Sequence, residues 1–180
     1  MAAAPVQVAP TDLPMEKRVS TLPKTLADYL ANPVAQTEWV DGCIVEKVGQ
    51  TLGHAKIQTR LLIRWADYVE HQQLRGMVLV EAPCQTTGRV RRPDVAYLSP
   101  DLIQQFGEDI AILLQSYPLI GEILSPTDSG EDIFLKAQEY LSSGAMEVWL
   151  VFPKFYPNSG LLPLANRTGD CQKPGCIARL

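Results

Sequence analysis

Glu122 stands inside Pro118-Leu-Ile-Gly-Glu-Ile-Leu-Ser-Pro126, where almost every neighbour is apolar or small. A run this short, bounded by prolines, reads as a buried strand, and an unpaired charge within it costs several kcal/mol. Asp94 repeats the pattern at the mouth of a second run, Arg92-Pro-Asp-Val-Ala-Tyr-Leu98. If the two strands are neighbours, the carboxylates repel until one takes up a proton or a cation lies between them. Mg²⁺ suits that place, because it accepts carboxylate and carbonyl oxygens and keeps waters for a substrate. Lys136 follows at helical spacing from an N-cap. A metal-activated water with an amine close by is the equipment for hydrolysing a phosphodiester.

Side chains alternate along a strand, so Glu122 shares its face with Ile120 and Leu124, and Asp94 shares its face with Ala96 and Leu98. Asp132, Lys136 and Tyr140 are four apart and lie along one side of a helix. Lys136 can therefore orient a water or steady developing negative charge; its bland alternative is a solvated pair with Asp132. For Asp94 the alternative is a turn residue opening a strand after Pro93. Glu46, at the end of a hairpin, is a candidate third acid, and His54, near a helix start, is a candidate base. Exposure for the one and helix capping for the other are the commoner fates. Trp39, Trp65 and Trp149 sit in periodic apolar segments and read as core.

With 180 residues, 46% of them hydrophobic, the chain can bury one ordinary core. Residues 1–22, rich in Ala, Pro and Val, read as a loose arm, 23–153 as the folded domain and 154–180 as an irregular tail. The net charge of −4 argues against coating nucleic acid through bulk electrostatics, but leaves room for a local basic groove. Arg89, Arg91 and Arg92 form the densest basic cluster, as compatible with a solvated turn as with phosphate contact. Cys43, Cys84, Cys171 and Cys176 lack the partners of a zinc site and read as reduced thiols of a cytoplasmic protein. The N-terminus has neither the basic start nor the apolar core of a secretory signal, and the longest apolar stretch, 110–124, is broken by Gln115, Pro118 and Glu122. No membrane partner is expected.

Local signals predict the element order. Thr25 caps a short helix that Asn32-Pro33 stops, and Asp41-Gly42 joins two strands within 38–48. Ile57, Leu61, Ile63, Trp65 and Val69 mark an amphipathic helix from Gly53 to about Gln73, which Gly76 closes before a strand beginning at Met77. A turn at 86–92 leads into the strand at 94–98, and 100–117 is irregular with room for a short helix. After the strand at 118–124, Asp128 or Ser129 caps a helix ending before Gly144, and 147–152 is a further strand. This order predicts a mixed α/β (α+β) sheet flanked by helices, with an N-terminal β-hairpin.

The residues also resemble a known family. Glu38-x-x-Asp41-Gly42, Glu46, His54, Pro93-Asp94, Glu122-Ile-Leu-Ser-Pro126, Asp132-x-x-x-Lys136-x-x-x-Tyr140, Gly144 and Glu147-x-Trp149 are similar in order and spacing to the Uma-type family. Its members are restriction-endonuclease-like proteins of the PD-(D/E)XK nuclease superfamily, and the similarity spans roughly residues 25–153. The resemblance implies a restriction-endonuclease-like core, a mixed four-stranded sheet flanked by helices, and Mg²⁺-dependent cleavage of DNA, with Mn²⁺ as an alternative ion. Asp94 and Glu122 would be metal ligands, the backbone carbonyl of Ile123 a further one, and Lys136 the catalytic lysine. Leu124 occupies the place where the standard motif has its lysine, so the lysine comes from the following helix. The superfamily often acts as a homodimer, an expectation carried by fold analogy alone. Phe152 replaces an aspartate usual in the family, and the strand-rich continuation expected beyond Pro153 is missing. Those departures motivate a rival expectation, an endonuclease fold that has lost catalysis and serves as a binding or interaction module.

Overall fold

The computed structural model describes residues 22–47, 50–125 and 128–153, together with the backbone of 161–165. The predicted N-terminal arm, Cys171 and Cys176, and most of the tail lie outside the described residues.

Helix α1 (Leu26–Ala31) begins at Thr25, whose side chain and that of Asp28 form a reciprocal capping box. Strands β1 (Thr37–Val40) and β2 (Cys43–Glu46) pair antiparallel through a two-residue turn. Asp41 and Gly42 both have positive φ there, 50° and 82°, which is why Asp-Gly suits the position. Helix α2 (Leu52–His71) is capped by Thr51 and buries Ile57, Leu61, Trp65 and Val69. Ile63, counted with that stripe in the sequence, is 52% exposed; it lies one turn-fraction off the line of the other four.

The central sheet has five strands in the order β3–β6–β7–β8–β9. They are β3 (Met77–Val80), β6 (Val95–Leu98), β7 (Leu119–Ile123), β8 (Glu147–Val151) and β9 (Leu161–Ala165). Only β7 and β8 run parallel, with α4 (Gly130–Ser142) as their crossover. α3 (Pro100–Phe106) fills part of the connection between β6 and β7. Leu161–Ala165 falls in the tail expected to be irregular, yet its backbone pairs antiparallel with β8 along five residues. The sheet accordingly has one strand more than the resemblance implies, and the strand predicted missing is present: pairing to β8, not local periodicity, makes it.

A second sheet runs β2–β1–β5–β4, where β4 (Cys84–Gln85) and β5 (Val90–Arg91) are two-residue strands, the first just before the stretch read as a turn and the second within it. Tyr29, Trp39, Val90 and Ile112 form its core.

Helices cover both faces of the central sheet. Leu119 and Ile123 join Val95, Tyr97 and Trp149 under α2, while Ile120 joins Ala96, Leu98, Val148 and Leu150 under α4. Gly121 lets α2 lie directly on β7. A Cβ there would meet Leu61 Cδ2 at 2.8 Å and the Trp65 ring at 3.4 Å. Trp65 in turn meets Trp149 edge to face, with ring centres 5.4 Å apart.

Candidate active site

β6 and β7 are neighbours. Their antiparallel register pairs Val95 with Gly121 and Ala96 with Ile120, so one further step sets Asp94 opposite Glu122. Directly opposed residues share a face, and here it is the face covered by α4. Both acids are buried, at 2% and 9% exposure.

Asp94 has three kinds of partner. Its Oδ1 takes a 2.6 Å contact from Lys47 Nζ, while its Oδ2 accepts from the backbone N–H of Ile123 at 2.7 Å and faces His54 Nε2 at 3.2 Å. Burial disfavours this carboxylate, but His54, Lys47 and the Ile123 N–H together outweigh it and hold the group down at about 2. The Asp94 carbonyl accepts from Gln58 Nε2, so α2 holds both ends of the residue.

Glu122 lies in a different balance. Tyr140 donates its hydroxyl to Oε1 at 2.7 Å, and Lys136 Nζ stands 3.0 Å from the same oxygen. Burial raises the Glu122 carboxyl; Lys136 opposes that shift, and the charges on Asp94 and Glu38 add to it. The result is a carboxyl above its usual range facing one far below it. Burial lowers the Lys136 ammonium, but Glu122 and Glu38 reverse the effect and raise it, so it is charged at neutral pH. Burial and the Glu122 charge push the Tyr140 hydroxyl well above its usual value, so it acts here as a donor.

The fold thus brings Asp94, Glu122, Lys136, Tyr140 and His54 together, and places the Ile123 peptide against Asp94. It does not bring in Glu46, which is exposed on β2. Its neighbour Lys47 takes that place, because adjacent residues on a strand face opposite ways. Lys47 carries no signal of this role in the sequence, because its partner lies 47 residues away. Asp132, the proposed solvated partner of Lys136, is exposed and donates its backbone N–H to the Ser129 cap. Lys136 instead reaches two buried acids.

The second of those is Glu38 of β1, 3.5 Å from Lys136 Nζ. Glu38 Oε1 accepts from the Arg92 backbone N–H, and its Oε2 accepts from Arg91. Arg91 also forks onto Glu139 of α4 at 3.0 and 2.8 Å. Arg89 reaches the same Glu139 at 2.7 Å and holds Asp41 through two bonds. Two of the three arginines of the basic cluster are therefore neither in a solvated turn nor free for phosphate: Arg89 and Arg91 tie the hairpin sheet to α4. A surface depression lined by Val69, Glu70, Arg75 and Met77 lies at the far end of α2 and shares no residue with this site.

Cys43 is exposed, Cys84 is buried, and both are free thiols. Among the described residues, no three His, Cys, Asp or Glu side chains gather into a ready-made metal cage, and no helix is long and apolar enough to cross a membrane. A cation at this site would take the two opposed carboxylates and complete its shell from backbone and water oxygens. Mg²⁺ commonly binds in that manner, and the all-oxygen donor set fits it.

The chain can be set beside known proteins. No curated protein matches it significantly. A crystal structure of a "putative nuclease belonging to DUF820" from Anabaena variabilis is similar with a TM-score of 0.64 and 22% identity, covering 84% of this chain and 90% of that one. At such identity the likeness speaks for the fold. The family described as "Uma2: Putative restriction endonuclease" matches residues 23–155, well over half the chain. This chain belongs to the Uma2 family.

Proposed function

We propose that the chain is an endonuclease that hydrolyses DNA phosphodiester bonds with Mg²⁺, or Mn²⁺ in its place. The observation that carries the reading is the opposition of Asp94 and Glu122 on neighbouring strands, each already in contact with an ammonium group. Two buried carboxylates with pKa values driven apart and cations alongside are more typical of a working site than of a structural one.

Asp94 and Glu122 would hold the ion. The N–H of Ile123 points at Asp94, and in an extended strand the carbonyl of the same residue faces the same side, which supports Ile123 as a further ligand. A bound divalent cation supplies a more acidic water and screens the phosphate charge. Lys136 presents a charged amine to the negative charge that develops on the phosphate. Glu38 and Glu122 keep that amine protonated, and Tyr140 fixes the Glu122 carboxyl. His54 and Lys47 orient Asp94.

The test is nicking of supercoiled plasmid with Mg²⁺ by wild type and by Asp94→Ala, Glu122→Ala and Lys136→Ala. Each substitution is expected to cut the rate by about 100-fold or more, the usual effect of removing a group that stabilises developing charge. Glu46→Ala serves as the control and should leave the rate unchanged. Equal nicking by all preparations would reject the assignment. One specific feature favours the second reading, a binding module without catalysis: Lys47 and Lys136 already neutralise the two acids. Titration calorimetry with Mn²⁺ separates the two, because uptake abolished by Glu122→Ala counts against the binding-only reading.

A further inference from the structure

β3 stands at one edge of the central sheet: β6 pairs with one side of it, and no described strand pairs with the other. Edge strands are commonly blunted by a lysine, a proline or a covering element. β3 reads Met77-Val-Leu-Val80, with neither residue in it, and Val80 is 44% exposed. The Glu81 N–H donates towards β6, to the carbonyls of Pro93 and Asp94. Backbone groups alternate along an antiparallel strand, so Met77 and Leu79 also bond to β6, while Gly76, Val78 and Val80 turn their N–H and C=O groups outward.

The side chains of Val78 and Val80 lie on the face covered by α2, because they oppose Tyr97 and Val95 of the cluster beneath that helix. On the same side, the surface depression at the end of α2 reaches β3 itself and is lined by Val69, Glu70, Arg75, Gly76 and Val78. Arg75 and Glu81 bracket the strand. Arg75 is exposed and Glu81 half-buried against the Gln50 amide, and neither forms an ion pair with a described residue.

We infer that β3 pairs antiparallel with β3 of a second copy of this chain, about a two-fold axis at Val78, so that the two five-stranded sheets run on as one. An interface about a two-fold axis must be complementary to itself. With Val78 opposite Val78, the outward groups of Gly76 meet those of the second copy's Val80, and every outward group finds a partner. The same register sets Arg75 opposite the second copy's Glu81, a charge pair that the symmetry makes twice. The neighbouring registers that keep the backbone bonds set Arg75 opposite Leu79 or Pro83 and leave both charges unpaired. In the charged register Val80 of each copy lies beside Gly76 of the other, whose missing side chain leaves the depression open to it. The inference needs no property of the candidate active site.

The experiment is light scattering on the full chain as it leaves a gel-filtration column, with sedimentation equilibrium to give the Kd of the dimer. Wild type is expected at twice the mass of one chain. Val80→Lys, which sets a charge on the edge, should run at the mass of one chain at concentrations where wild type is dimeric. Arg75→Glu brings like charges opposite each other twice and should raise the Kd by about 10-fold or more. Arg75→Glu combined with Glu81→Arg rebuilds both pairs in reverse and should return the Kd to within about 3-fold of wild type. That charge swap keeps the test open if circular dichroism shows Val80→Lys to be unfolded. Arg60→Glu, at an exposed cation of α2 away from this edge, should leave the mass as it was. A wild type that stays at the mass of one chain up to its solubility limit overturns the proposal. So does a dimer that Val80→Lys and Arg75→Glu both leave intact, or a loss that the charge swap does not restore. Plasmid nicking enters none of these readouts, so the nuclease reading stands or falls separately.

Discussion

Two ionic clusters flank α4, and they are built from different cations. In the brace between the hairpin sheet and α4, Arg91 forks onto Glu139 and reaches Glu38, and Arg89 joins Glu139 to Asp41. Burial works against the ionised forms of Glu38 and Glu139, yet Lys136, Arg91 and the Arg92 N–H lower the first, and Arg91, Thr86 and Arg89 lower the second. At the strand ends the cations are lysines, and the two acids move in opposite directions, Asp94 to about 2 and Glu122 upwards. A guanidinium has a planar fork that fixes two partners at once, whereas an ammonium is a point charge on a flexible stem. The chain uses arginine in the brace between the hairpin sheet and α4, and lysine beside the opposed acids at the strand ends. Glu38 belongs to both clusters, so the rigid one is positioned to support the other.

Arg91→Ala is the strongest way to break that contrast. It leaves Glu38 and Glu139 buried without their shared cation, a change that costs about 3–5 kcal/mol when a buried pair loses one member. Urea denaturation should show it, with Lys136→Met losing clearly less, because Glu122 sits above its usual pKa and can take up a proton in compensation. Equal losses in the two variants would erase the distinction between holding and working cations. A smaller effect is expected from Tyr140→Phe, which removes one hydrogen bond to a buried carboxylate, worth about 1.5–3 kcal/mol. No measurable change in its unfolding free energy would mean that Tyr140 does not steady Glu122.

The smallest effect lies in pH dependence. The Glu139 carboxyl titrates below 4.5 in the folded chain and near 4.5 when unfolded. Between those values the unfolded chain binds more protons, so acid favours unfolding. The stabilisation is fully present above the unfolded value and disappears as pH falls through the folded one. The gap in melting temperature between wild type and Glu139→Gln should therefore be wide at pH 7 and shrink below about pH 4.5. A gap that holds constant down to pH 3 would show that the brace does not act through the charge of Glu139.

What could be read from the sequence divides along physical lines. The Asp41-Gly42 turn, the stripe of Ile57, Leu61, Trp65 and Val69, and the buried run around Glu122 all carry their information within a few residues. The two-residue strands β4 and β5 are too short to show a period, and β9 exists because β8 offers it an edge. The same distinction applies to the site. The spacing of Lys136 and Tyr140 follows from one helix, and the apolar surroundings of Glu122 announce that it needs a partner. Arg91, by contrast, meets Glu139 across 48 residues of chain, and Lys47 meets Asp94 across 47. No local pattern encodes such pairs, so the arginine cluster fits a solvated turn and a phosphate contact equally well, and Lys47 carries no signal at all.

The bare backbone at Gly121 governs more than the packing around it. With no side chain in the way, Leu61 settles against β7 and sets how low α2 rides over the sheet. That helix is a stiff rod, so its seating in the middle fixes the reach of its tip, where His54 touches Asp94. A single methyl group added at position 121 would act as a shim under the rod, pressing first on Leu61 and then lifting the tip two turns away, where His54 meets Asp94.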